Sequence, residues 1–194
     1  CYAVLAYRTA YLKRFYPKEF LAAILNNRID KIEEVSKYIL YLKEKNIPVL
    51  QPDVNESKEF FSVQNGGVRF GLGALRGVGV GATQLIIEER KKNGKFRTFG
   101  DFVFRCAPFL NKRMLEGLIC AGAFDCFGVN RAQALLVYES VLDRANKIAK
   151  QQASRQMSLF GDLIEEDNSV VEFPDVPELE TSEKLAREKD VLGV

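Results

Sequence analysis

The sequence predicts a mainly α-helical fold, and three observations carry that prediction. Apolar residues recur at helical spacing through most of residues 1–150, as with Ile32, Val35, Ile39 and Leu42. Polar residues suited to capping stand where several of these runs begin: Thr98, Asn111 and Asn130. The one clear strand signal is Asn65-Gly66 between β-formers, which reads as a single small β-hairpin.

Residues 1–15 and 18–27 read as helices parted by Pro17, a residue suited to a first helical turn. Residues 30–45 make the clearest amphipathic helix, with Asp30 as candidate N-cap and Asn46 ending it. The period then changes. Ile47-Pro48-Val49-Leu50 is a short extended run, and Phe60 to Val63 and Val68 to Phe70 flank the Asn-Gly turn. Helices resume at about 72–76, 80–92, 98–106, 111–121 and 130–150. Gln151 to Phe173 is polar and acidic with isolated apolar residues, the composition of a mobile tail. Pro174 and Pro177 extend it, and residues 181–191 can form one last helix. The expected organisation is therefore 1–50, 51–150 and a flexible acidic tail over 151–194.

An apolar content of 47% is ample for a packed core. No run of 18 uncharged apolar residues is present, so no membrane partner is expected. The absence of an initiator Met at Cys1 and the apolar step at Val194 suggest a segment of a longer chain. The four cysteines form no Cys-x-x-Cys pair and there is no histidine, so a metal site is not expected and reduced thiols in a cytoplasmic protein are. A net charge of +2 hides an asymmetry: residues 1–150 hold 24 Lys and Arg against 15 Asp and Glu, residues 151–194 hold 4 against 11. A basic body favours a polyanion as partner.

The sharpest local chemistry is Leu72-Gly73-Ala74-Leu75-Arg76-Gly77-Val78-Gly79-Val80-Gly81, where a short helix runs into Gly-Val-Gly and a second helix leaves at once. This is the pattern of a helix-hairpin-helix. Glycines let the backbone turn tightly. The free N–H groups and dipole of the second helix then make an anion seat. Gly77, Val78, Gly79 and Gly81 are thus candidate phosphate-binding residues, with Val78 plugging the gap between the helices. A phosphate held on backbone N–H reads no base, so the binding expected is of duplex DNA without sequence preference. The same glycines would also serve a plain tight turn between helices, and that alternative stays open. A dinucleotide loop fits less well, since it needs a preceding strand and a crossover unit.

A weaker second copy follows. Asn111-Lys112-Arg113 opens a helix that runs into Ala121-Gly122, and Asn130-Arg131 opens another. Lys112, Arg113 and Arg131 near helix starts work against the dipole, which makes phosphate contacts a natural reason for them; plain solvated surface is the competing reason. In the tail, Gln156 with Leu159 and Phe160 suits a short peptide that docks two apolar anchors into a partner's pocket. Folding back onto the body is the alternative.

Together these residues resemble the fingers and post-fingers region of the bacterial DNA polymerase III alpha subunit family. Tyr2 to Lys13 is similar to a fingers helix of that family, Pro52-Asp53-Val54-Asn55-Glu56-Ser57 and Arg69-Phe70-Gly71-Leu72 to the run ahead of its helix-hairpin-helix, and Ala121 to Asp125 with Asn130-Arg131 to its second hairpin. Gln156 to Phe160 resembles its internal motif for the sliding clamp. The resemblance implies a tandem helix-hairpin-helix that grips product duplex, a tail that tethers the clamp, and the rest of the polymerase chain as a further partner. It also implies Mg²⁺ in the parent enzyme and no cofactor in this segment. Helix-hairpin-helix motifs often carry a basic residue where Gly81 stands, which weakens direct charge on phosphate here. Polymerase chemistry needs metal-holding carboxylates, commonly from an Asp-x-Asp pair. None occurs here, so this segment is expected to synthesise no DNA by itself. A repair glycosylase would need an Asp just beyond the hairpin helix; Asp101 lies too far along and suits a helix cap. A helical adaptor without DNA binding is the other alternative.

Overall fold

The computed structural model describes residues 2–29, 31–155 and 170–193. Its first three helices are α1 (Tyr2–Phe15), α2 (Pro17–Asn27) and α3 (Ile32–Glu44). Pro17 begins α2 at the turn where its missing N–H is harmless. Val35, Ile39 and Leu42 fall on one face of α3 and are buried against Leu21, Ala22 and Leu25 of α2. Asn46 closes α3 in the left-handed region at φ 54°. Asp30, the expected cap, lies outside the described residues.

The predicted hairpin is present and gains a partner. Strands β2 (Ser62–Gln64) and β3 (Gly67–Arg69) run antiparallel, and Asn65 and Gly66 both adopt positive φ, as a two-residue turn requires. The extended run after Pro48 contributes β1 (Val49–Leu50), which pairs parallel with β3 to give the order β1-β3-β2. Gly67 is demanded by that pairing, because a Cβ there would lie 2.5 Å from the Pro48 carbonyl oxygen. Asn26 ties α2 to the sheet through both polar groups of Phe61, donating to its carbonyl and accepting from its N–H.

The helical body follows: α4 (Val80–Asn93), α5 (Phe99–Cys106), α6 (Lys112–Cys120), α7 (Arg131–Arg155) and α8 (Thr181–Leu192). The three predicted caps bond as expected, Thr98 to Asp101 N–H, Asn111 to Met114 N–H and Asn130 to Gln133 N–H. An edge-to-face cluster of Phe96, Phe99, Phe102 and Phe124 sits between α5 and the turn after α6. One continuous core joins α2 and α3 to this body. Arg90 of α4 donates to the Val54 and Ser57 carbonyls, and Asn55 pairs reciprocally with the Phe96 backbone, so residues 53–57 brace α4 from outside.

The expected flexible tail needs correction. α7 runs on to Arg155, and residues 170–193 are laid along the body. Phe173 packs on Phe99, Asn130 and Gln133 donate to the carbonyls of Val176 and Pro174, and α8 packs on α6 with Leu192 buried. The acidic charge that suggested solvated chain is partly taken up in these contacts, through Glu178 and Glu188.

Candidate nucleic-acid interface

The first hairpin is built on a single 3-10 turn, Leu72–Ala74, in place of the expected short helix. Gly73 accounts for the tight packing there: a Cβ would meet the Glu59 carbonyl oxygen at 2.9 Å. Gly77 turns the chain at φ +82°, a conformation that favours glycine. Val78 is buried, and its N–H donates to the Leu75 carbonyl at 3.1 Å. Its methyl faces Gly117 of α6, a helix outside the hairpin whose two helices it was expected to plug.

Gly79 and Gly81 differ from Gly77. All three are exposed, but neither Gly79 nor Gly81 has a positive φ, and a Cβ at either would meet nothing within 4 Å among the described residues. Gly79 is the N-cap of α4 and supplies no side-chain cap. The first bond of the helix runs from Thr83 N–H to the Gly79 carbonyl, leaving the N–H groups of Val80, Gly81 and Ala82 without an acceptor among the described residues. A glycine inside a helix costs about 1 kcal/mol against alanine. Among the described residues no contact requires a glycine at position 81.

The three candidate cations separate. Arg113, exposed on the first turn of α6, lies across the Gly77 turn, with its Cγ and Nε 3.5 Å from where a Gly77 Cβ would be. Arg76, quoted in the motif but not singled out by sequence reasoning, is also exposed there and donates to the Asp190 carbonyl. Arg76, Arg113 and Arg187 line one hollow beside the hairpin, with Glu116 and Asp190. Lys112 points elsewhere, pairing with Glu139 at 2.8 Å and Asp143 at 3.5 Å on α7.

Arg131 does not present itself to a ligand. It is 3% exposed, and its guanidinium bonds to Asp125 at 2.7 Å, Glu188 at 2.6 Å and the Cys120 carbonyl at 3.1 Å. Burial alone would lower its pKa, but the hydrogen bonds it donates to the two carboxylates outweigh that and raise it. The residue that looked like a phosphate contact is a structural cross-link between the second hairpin and α8.

The second anion seat is filled from within. Glu178 accepts from Arg131 N–H at 3.0 and 3.2 Å and from Ala132 N–H at 3.3 Å. A carboxylate thus stands where the tandem pattern would place a second phosphate. No local signal reveals Glu178, which comes 47 residues after Arg131. Desolvation raises its pKa, but the backbone N–H bonds from Leu179, Arg131 and Ala132 more than offset this and hold it below the ordinary value. A depressed carboxylate pKa adds stability above the unfolded value, and that stability is lost as pH falls through the folded one. Acid titration should therefore loosen residues 174–178 from α7 first, and Glu178→Gln should make that loosening less pH-dependent; hydrogen exchange of Arg131 and Ala132 N–H between pH 3 and 7 reads it.

Gln156, Leu159 and Phe160 lie outside the described residues. Asp101 accepts from Arg97 N–H and pairs with Arg105, a capping and bracing role. No helix among the described residues is long and apolar enough to cross a membrane.

The helix-hairpin-helix motif family matches residues 46–134, which span the sheet, both hairpins and the start of α7. DNA polymerase III subunit alpha of Chlamydia trachomatis serovar D is 41% identical over 198 residues, that of Chlamydia muridarum 40% over 198 and that of Thermus aquaticus 39% over 194. Each alignment covers all of this chain, and the chain spans only 15–16% of these relatives' length. The chain is thus related along its whole length to one segment of the DNA polymerase III alpha subunits, and it carries a helix-hairpin-helix motif within that segment.

Proposed function

We propose that this chain is the duplex-gripping segment of a replicative DNA polymerase, holding the sugar-phosphate backbone at the start of α4 without reading bases. The observation that carries the reading is the pair Gly79 and Gly81, which leave space around the N–H groups of Val80, Gly81 and Ala82 although no contact among the described residues requires them. Arg113 across the Gly77 turn and Arg76 just before it are the exposed cations of the hairpin, and they would supply the charge that the glycine at 81 omits. Because Glu178 fills the second seat, the first hairpin carries the grip. The test is equilibrium binding to duplexes of unrelated sequence across a salt series. Equal affinities that fall steeply with salt support the reading. Salt-insensitive binding, or none at low salt, favours a helical adaptor.

The same proposal assigns Gln156, Leu159 and Phe160 to a sliding clamp, and the remaining polymerase chain to the catalytic carboxylates and their Mg²⁺. The support is the pattern of two large apolar residues in a polar stretch beside a Gln. Leu159→Ala with Phe160→Ala is expected to abolish clamp binding, at roughly 2 kcal/mol or more per anchor. Duplex affinity should not change. Loss of both activities together contradicts the assignment.

A further inference from the structure

Helix α8 reaches the first hairpin from far along the chain. The helix-hairpin-helix match ends at residue 134, yet the last turn of α8 docks on the hairpin. Arg76 donates its N–H to the Val191 carbonyl at 3.1 Å and its guanidinium to the Asp190 carbonyl at 3.2 Å. Arg187, about one turn earlier on α8, joins Arg76 and Arg113 around a hollow of about 330 Å³. No ion pair closes that hollow. Among the described residues Arg76 and Arg113 pair with no carboxylate, although Glu116 and Asp190 line the same hollow, and Arg187 pairs with Glu183, which does not line it. Elsewhere cations beside carboxylates do pair, as Lys112, Arg105 and Arg131 show. A guanidinium carries five donors. Arg76 gives one to the Asp190 carbonyl, and Arg187 gives one from Nε and one from Nη2 to Glu183, so each keeps part of its fork for another acceptor.

We propose that this hollow is a second phosphate seat for duplex DNA, in which Arg187 of α8 joins Arg76 and Arg113 on a backbone phosphate other than the one held at the start of α4. The inference rests on the duplex-grip reading and adds to it a residue from outside the motif. Guanidinium forks match the oxygens of a phosphate and hold it without reading a base. Arg113 joins the two seats, since it lies across the Gly77 turn and also lines the hollow. Glu116 and Asp190 work against an anion there, so neutralising one of them reports what the hollow takes.

The test uses the full-length chain that contains this segment and blunt duplexes in which one phosphate at a time is an uncharged methylphosphonate. Arg187→Gln should lower duplex affinity about fivefold, less than a full charge-assisted bond because Glu183 already holds part of the fork. The slope of log affinity against log salt should become shallower by about 0.9. The variant should also lose its sensitivity to methylphosphonate at one phosphate, and Gly81→Glu at a different one. Asp190→Asn should strengthen duplex binding about twofold. It keeps the backbone carbonyl that holds Arg76, so it decides the matter if thermal unfolding shows that Arg187→Gln releases α8. Four results overturn the proposal: unchanged affinity in Arg187→Gln, loss of sensitivity at the same phosphate as in Gly81→Glu, no gain from Asp190→Asn, or binding of inorganic phosphate that Arg187→Gln abolishes while duplex affinity stays intact. If Gly81→Glu weakens duplex binding and Arg187→Gln does not, this inference falls alone. If the unaltered chain binds no duplex, the duplex-grip reading falls and takes the inference with it.

Discussion

Gly81→Glu is expected to leave the protein at least as stable as before while lowering duplex affinity tenfold or more. A Cβ at position 81 meets nothing within 4 Å, so the new side chain enters without a clash. Replacing glycine in the first turn of α4 recovers up to about 1 kcal/mol of helix propensity. A carboxylate near a helix N-terminus adds roughly 0.3–1 kcal/mol more. The same carboxylate sits where the phosphate must come, repels it, and competes for the N–H groups of Val80 and Ala82. Charge-assisted hydrogen bonds of this kind contribute about 1.5–3 kcal/mol, so removing the seat corresponds to roughly 10- to 100-fold in affinity. Thermal unfolding and duplex titration on the same preparation separate the two effects. If stability and affinity fall together, the glycine is there for the fold and the adaptor reading gains.

Arg131→Ala should do the reverse. Its guanidinium is buried and holds Asp125, Glu188 and the Cys120 carbonyl at once. Truncation leaves two carboxylates without their shared cation, Glu188 largely buried and Asp125 partly open to solvent. Breaking a buried ion pair from one side costs about 3–5 kcal/mol, and the exposure of Asp125 places Arg131→Ala toward the lower end. Arg131→Lys recovers only part of this, since one ammonium cannot reproduce the forked contact. Denaturant unfolding should show the loss, with α8 released from the second hairpin. Duplex affinity per folded molecule should stay close to that of the unaltered chain. A selective loss of DNA binding with normal stability would restore Arg131 to the phosphate site.

These two residues also show which parts of the structure could be read from the sequence. Helix starts, caps and the Asn-Gly turn depend on neighbours within a few residues, and the bonds made by Thr98, Asn111 and Asn130 were legible for that reason. What escaped depends on distant partners. β1 forms only because β3 lies beside it, and Glu178 reaches α7 across 47 residues. Arg131 was misread because a basic residue at a helix start looks the same whether phosphates or carboxylates attend it. The acidic stretch after residue 170 misled in the same way: composition registers charge, and the contacts that satisfy it belong to the folded body. The first helix of the hairpin is a single turn whose Gly73 packs closely on Glu59, again a contact between segments that are not adjacent in sequence.

The central claim is that backbone N–H groups at the start of α4 hold a DNA phosphate. Hydrogen exchange of residues 76–83 in the full-length chain, with and without saturating blunt duplex, tests it most directly. The account predicts that Val80, Gly81 and Ala82, free of acceptors in the unbound protein, exchange more slowly once duplex is added. Unchanged exchange there, with protection appearing elsewhere on the basic body, would contradict it.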